Sequence, residues 1–155
     1  MINMLGADIF FEGVMTGAAA SIYGMLPAVI FVAACILAFS SGTSWGTFSI
    51  LIPIVAAIFP SGSELLIIGM SACLAGAVCG DHCSPISDTT IMASAGAQCD
   101  HIQHVSSQLP YAVSVAGISF VTYIIAGFVQ NAVICLTIGA VLTVGFLFVM
   151  KKKTA

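Results

Sequence analysis

The chain has 155 residues, of which 60% are hydrophobic and only 6% are charged. A soluble domain is about half apolar and about one-quarter charged, so this composition excludes a soluble globular domain and indicates an integral membrane protein. The three basic residues form a single run at positions 151–153. They are too few to neutralise a row of phosphates, so the sequence excludes nucleic-acid binding.

The first strongly apolar region, 22–59, follows a mixed leading segment at 1–21. A helix is predicted over 22–39, and the polar, glycine-containing stretch 40–47 then interrupts it. The apolar stretch that follows, 48–59, is too short to cross a bilayer, which takes about 20 residues. We therefore expect 22–59 to form a re-entrant hairpin with a polar tip.

The next region, 64–96, is predicted to be a single discontinuous helix. Apolar character is continuous up to Gly80, fails over the polar segment 81–90 and then returns. Ser84 is a favourable N-cap for a second half-helix, and Gly96 is expected to end that half-helix.

Two further caps are predicted outside the polar segment. Ser61 and Glu64 match a capping box, which gives Glu64 a structural role at the start of its helix. Asp100 and Gln103 match an N-cap pair at the start of the following helix.

Two ordinary transmembrane helices are predicted at 109–129 and 132–150, followed by the tail 151–155. The lysines of this tail place it in the cytoplasm by the positive-inside rule. The predicted fold class is therefore all-α integral membrane, with one hairpin, one discontinuous helix and two ordinary spans.

The polar segment 81–90 carries the chemistry of a candidate cation site. Asp81 and Asp88 are carboxylates between apolar half-helices, and hydroxyl side chains lie around them. Carboxylate and hydroxyl oxygens are hard ligands that suit Na⁺, and a carboxylate within a membrane segment usually marks an ion or proton path. The alternative is that one aspartate only caps the second half-helix.

The histidines and cysteines near this segment leave two other possibilities open. His82 either relays protons or hydrogen-bonds the backbone at the break. A zinc site is the second possibility, but the spacing lacks the usual C-x-x-C and H-x-x-x-H pairs. We therefore expect no zinc, no other cofactor and no enzymatic activity; a zinc-dependent membrane enzyme is the alternative. The residues concerned are Cys79, His82, Cys83, Cys99, His101 and His104.

Three stretches of the sequence resemble the NhaC-type Na⁺/H⁺ antiporter family. They are FSSGTSWGT at 39–47, GDHCSPISDTT at 80–90 and CDHIQHVSSQLPY at 99–111. The resemblance implies exchange of Na⁺ for H⁺ across the cell membrane on a scaffold of two inverted repeats, and some relatives also exchange organic acids such as malate and lactate. It also implies an ion site formed by Asp81, Ser84, Asp88 and Thr89, with Thr43 and Ser44 facing them from the hairpin tip.

The resemblance covers only the C-terminal repeat of this family. An inverted-repeat transporter forms its site where the two halves meet. We therefore expect a partial or split transporter in the inner membrane that needs an N-terminal-half polypeptide or a second copy of itself. The alternative is a membrane subunit or remnant that does not transport.

Overall fold

The computed structural model describes the backbone of residues 19–154 and the side chains of residues 22–148. The predicted leading segment up to residue 18 lies outside the described residues, and so do the side chains of the predicted tail 151–155. The described part of the chain is helical and contains no strand, as the all-α class predicts. Its helices are α1 (Ala19–Ser41), α2 (Ser44–Ile58), α3 (Glu64–Cys83), α4 (Asp88–Gly96), α5 (His101–Val129) and α6 (Ala132–Thr154).

Three of these helices are long and apolar enough to cross a membrane. They are α1 over Ile22–Ser41, α3 and α5, with mean hydropathies of 2.4, 1.6 and 2.0. The apolar helices Ser44–Ile58 and Ala132–Phe148 are shorter. Large hydrophobic side chains remain exposed along these helices, as at Ile22, Val133 and Leu136. An apolar surface of this extent belongs in lipid or against other membrane helices, so the chain is a membrane protein.

Helices α1 and α3 run parallel and form the most extensive helix pair. Gly76 faces the backbone of Phe31, and Gly80, one turn later, faces the backbone of Cys35. A Cβ atom on either glycine would clash with the carbonyl oxygen opposite it. Small residues at i and i+4 therefore allow the two helix backbones to touch, as is common in membrane helix pairs.

Helix α2 returns the chain from the turn at residues 42–43 to the beginning of α1. The Tyr23 hydroxyl donates to the Ile58 carbonyl at 2.7 Å, and the Tyr23 and Phe59 rings pack edge to face at 5.7 Å. Phe59 also lies directly on Gly69 of α3. This contact closes a small apolar core at one end of α1, α2 and α3.

Helix α5 runs antiparallel to α1 and α3. Gly127 touches the backbone of Gly24, the Tyr123 ring packs on Phe31 at 5.3 Å, and the Tyr123 hydroxyl lies 3.1 Å from Ser71 Oγ. With 29 residues, α5 extends past the end of α3, and its first turns contact α4.

The structure corrects the predicted helix ends around the polar segment. Helix α3 continues past Gly80 to Cys83, and the N-cap of α4 is Ser87 rather than Ser84. Ser84 instead adopts an extended conformation and ends α3, because the residue before a proline is disfavoured in helical geometry. The predicted end of α4 at Gly96 is confirmed.

The two predicted caps have different outcomes. Asp100 Oδ1 accepts from the Gln103 amide at 2.9 Å, which confirms that N-cap. Helix α5 consequently starts at His101, before the predicted span 109–129. The predicted cap at Ser61 is wrong, because Ser63 Oγ accepts from the Leu66 amide at 3.2 Å.

We expect Ser63→Ala to lower the free energy of unfolding by about 1 kcal/mol, the usual effect of losing a serine N-cap. Thermal unfolding of the purified protein in detergent measures this change. Ser61→Ala is the matched control and should leave the melting temperature unchanged. Equal destabilisation by both substitutions would contradict the assignment of the cap to Ser63.

Candidate ion site at the two polar breaks

The structure brings the two polar breaks of the chain into contact. Gly42, at the turn between α1 and α2, has φ +67°, and a Cβ built on it would lie 2.9 Å from the Ile86 carbonyl oxygen. Ser84 Oγ donates to the Phe39 carbonyl at 2.8 Å. The hairpin tip therefore packs directly on the connection 84–87 between α3 and α4.

Asp81 lies in the last turn of α3 and is buried, with 6% of its surface exposed. Its Oδ1 atom has no hydrogen-bond partner among the described residues. The chain has no arginine, and its lysines are confined to 151–153. Burial of a carboxylate is unfavourable unless a positive charge or hydrogen-bond donors accompany it, so Asp81 is a candidate ligand for a cation.

Buried hydroxyl groups follow Asp81 along the chain. Ser84 and Ser87 are fully buried, and Thr90 is 3% exposed. Thr90 Oγ1 is a second buried oxygen without a partner in the part of the chain that the structure describes. The sequence prediction did not select Ser87 and Thr90 individually, because only the packing of α4 shows which hydroxyls of 84–90 are buried.

Asp88 and Thr89, both predicted site residues, are exposed at the start of α4. Asp88 Oδ1 accepts from the Thr89 amide at 2.8 Å, and Thr89 Oγ1 lies 2.8 Å from Ser87 Oγ. A carboxylate bonded to a first-turn amide is the contact that the capping alternative predicts. The two aspartates therefore have different surroundings.

At the hairpin tip, Thr43 is exposed and Ser44 is buried. Thr43 Oγ1 accepts from the Gly46 amide at 3.3 Å and caps α2. The sequence prediction missed Thr47, which is buried one turn later and lies 3.2 Å from Ser41 Oγ. Thr47 follows Thr43 by four residues, which places both on the same face of a helix, and this spacing could have identified it.

The side chain of His82 is exposed in an open groove between α3 and α5. Its backbone carbonyl accepts a hydrogen bond from the Gln108 side-chain amide. His82 therefore has access to the surface, whereas Asp81 is buried.

Three thiols meet at the crossing of α1 and α3. Cys79 and Cys83 of α3 lie close to Cys35 of α1, and the six cysteines are free thiols. Within the described residues, no group of three or more His, Cys, Asp or Glu side chains has a metal-binding arrangement. Sequence spacing grouped Cys79 with Cys83, while the contact with Cys35 depends on helix packing.

Residues 2–128 match the Na⁺/H⁺ antiporter family. The chain belongs to this family. This result confirms the family resemblance of the stretches at 39–47, 80–90 and 99–111. The Na⁺/H⁺ antiporter family is a family of transporters rather than enzymes.

Two relatives of this antiporter-family chain are much longer proteins. An uncharacterized protein of Haemophilus influenzae is 50% identical over 129 residues, which are 83% of this chain and 25% of the relative. A malate-2H⁺/Na⁺-lactate antiporter of Bacillus subtilis is 31% identical over 96 residues, 62% of this chain and 20% of the relative. The chain thus spans about a quarter or less of the relatives it matches. No solved structure matches it significantly.

Proposed function

We propose that this chain forms part of a secondary transporter that exchanges Na⁺ for H⁺ across the cell membrane. One observation carries the proposal: Asp81 is buried, its Oδ1 has no partner among the described residues, and it lies one turn from the contact between two polar breaks. Membership of the Na⁺/H⁺ antiporter family supports the same assignment.

The proposed mechanism is competition between one proton and one Na⁺ for the Asp81 carboxyl group. Removal from water favours the protonated, neutral form of a carboxyl group. Once the proton leaves, the charge needs a cation, and Na⁺ accepts oxygen ligands such as carboxylates and the hydroxyl groups that follow Asp81 in the chain. The C-terminal end of α3 adds a partial negative charge that favours this cation. Since the two ions exclude each other, their flows are coupled in opposite directions.

The other predicted residues are assigned supporting roles in this proposal. The side chains of Ser84 and Ser44 are buried at the two breaks and would supply oxygen ligands. Asp88, Thr89 and Thr43 are exposed on this chain and would complete the site against other parts of the transporter. His82, exposed beside Asp81, would relay protons to and from the surface.

We further propose the membrane arrangement that the sequence predicts. The hairpin 22–59, the discontinuous element 64–96 and the spans 109–129 and 132–150 would form one half of an inverted-repeat transporter. The missing half would come from an N-terminal-half polypeptide or from a second copy of the chain. Support comes from the lengths of the relatives, of which the matched region is a quarter or less.

The orientation is testable because the lysines lie only at 151–153. We expect a reporter fused after Ala155 to be active only on the cytoplasmic side. A cysteine at Ser61, introduced in a cysteine-free background, should react with an impermeant maleimide added from outside. An external C-terminus would overturn the proposed orientation.

A chimera tests the transport function directly. The matching 96 residues of the Bacillus subtilis antiporter would be replaced by the corresponding residues of this chain, and Na⁺-driven proton movement would be followed in vesicles with a pH-sensitive dye. We expect exchange in the chimera and little or none with this chain alone. A correctly inserted but inactive chimera would contradict the proposal and favour a remnant that does not transport.

Exchange of organic acids is a second candidate, favoured by the similarity to the malate-2H⁺/Na⁺-lactate antiporter. The chimera cannot assign this specificity, because most of its sequence comes from that antiporter. The discriminating measurement uses the chain together with its own partner polypeptide. Proton movement that requires malate or lactate would support this candidate over simple Na⁺/H⁺ exchange.

A further inference from the structure

Helix α4 has its polar side chains inside and its apolar side chains outside. The residues that it buries, Thr90 and Ser94, both carry hydroxyl groups, and the N-cap Ser87 on the same face is buried as well. Its large apolar side chains, Ile91 and Met92, are exposed. An inward hydroxyl face in a membrane protein either hydrogen-bonds to its surroundings or lines a polar site.

The three hydroxyls of this face differ in their hydrogen bonding. Ser94 Oγ donates to the Ile91 carbonyl at 2.9 Å, and Ser87 Oγ lies 2.8 Å from Thr89 Oγ1. Thr90 Oγ1, by contrast, is buried without a partner among the described residues. A buried hydroxyl without a hydrogen bond is unfavourable, so Thr90 marks the part of this face that is suited to a ligand.

The position of Thr90 in α4 explains why its own helix does not satisfy it. A threonine inside a helix commonly donates to the carbonyl four residues earlier, as Thr122 does to Ile118 at 2.9 Å. The residue four positions before Thr90 is Ile86, which precedes the N-cap of α4. The Ile86 carbonyl oxygen lies against Gly42 of the hairpin tip. The Thr90 hydroxyl is therefore left free of the helix to which it belongs.

Asp81 and Thr90 stand on either side of the connection 84–87. Two turns fold this connection tightly, because the Ser84 amide donates to the Asp81 carbonyl at 3.0 Å and the Ser87 amide donates to the Ser84 carbonyl at 3.3 Å. In the part of the chain that the structure describes, Asp81 Oδ1 and Thr90 Oγ1 are the two buried side-chain oxygens without a partner. A carboxylate and a hydroxyl are both hard oxygen ligands that suit Na⁺.

We propose that Thr90 Oγ1 is a ligand of the Na⁺ ion that Asp81 binds. The inference rests on the proposed function, because it adds a residue to that site. A hydroxyl is neutral, so it supplies an oxygen to Na⁺ without changing the charge balance between Na⁺ and the proton. Thr90 therefore determines how tightly Na⁺ binds, whereas the exchanged proton belongs to Asp81.

Substitutions that remove or keep the hydroxyl test this role. The chain is purified with its partner polypeptide, and Na⁺ binding is measured from the rise in melting temperature with Na⁺ concentration, with choline chloride holding the ionic strength constant. Thr90→Val has nearly the same shape but no hydroxyl, and we expect it to raise the Kd for Na⁺ about tenfold. Thr90→Ser keeps the hydroxyl and should bind Na⁺ nearly as tightly as the wild type does.

Two controls separate binding from stability. Without Na⁺, Thr90→Val should melt no lower than the wild type, because it removes a buried hydroxyl that has no partner. Thr90→Ala tests the same loss if valine is not accommodated. Thr122→Val removes a hydroxyl that bonds to its own helix and should leave the Kd for Na⁺ unchanged.

The outcomes distinguish this inference from the proposed function. Na⁺ binding without Na⁺/H⁺ exchange in the wild type, still weakened by Thr90→Val, would overturn the proposed function alone. Equal Na⁺ binding by the wild type and the variants without the hydroxyl would overturn the role of Thr90 and would mean that its hydroxyl holds only water. A wild type that binds no Na⁺ would overturn both.

Discussion

We expect Asp81→Asn to abolish Na⁺-dependent proton movement, lowering the exchange rate by at least about a hundredfold. Asparagine keeps the size and hydrogen-bonding capacity of the side chain but carries neither the titrating proton nor the charge. Among the described residues Asp81 is the only buried carboxylate, so its loss leaves the buried part of the site without a negative charge for Na⁺. Dye quenching in everted vesicles that contain the complete transporter measures the effect.

Two further variants distinguish loss of exchange caused by a missing charge from loss of stability. Asp88→Asn preserves a side-chain oxygen for the Thr89 amide while removing the charge, and we expect it also to stop exchange with membrane insertion intact. Glu64→Gln, at the start of α3, should reduce stability slightly and leave exchange in place. Near wild-type exchange by both asparagine variants would place the ion site elsewhere.

The second large effect concerns the contact of α1 with α3. We expect Gly80→Ala to lower the free energy of unfolding by about 3 kcal/mol, the upper end of the usual cost of overpacking. The added Cβ meets the Cys35 carbonyl oxygen, and backbone cannot move aside as a flexible side chain can. Helices α1 and α3 must separate, although alanine favours a helix over glycine by about 1 kcal/mol.

Gly117→Ala is the matched control, because a Cβ at Gly117 in α5 has no heavy atom within 4 Å outside its own helix. This variant should be neutral or up to about 1 kcal/mol more stable. Thermal unfolding in detergent compares the two substitutions. Equal stability of Gly80→Ala and Gly117→Ala would mean that α1 and α3 do not touch at this position in the membrane.

The amino-acid sequence by itself determined the membrane character, the family and several helix ends. These features depend on composition or on residues close in the chain. Long apolar stretches need lipid wherever they pack, and Asp100 caps α5 through an amide three residues away. The prediction of a helix end failed where two sequence preferences conflicted. Ser84 is a favourable N-cap, but Pro85 after it forces an extended conformation, so Ser84 ends α3 instead.

Only the tertiary structure decided which polar groups are buried and which meet. The parallel packing of α1 on α3 brings Phe39 to Ser84 and Gly42 to Ile86, across 45 and 44 positions of the chain. The same packing buries Asp81, while Asp88 stays exposed. The position of α5 decides that His101 contacts Pro85. No local pattern encodes these contacts, because burial depends on which faces of distant helices come together.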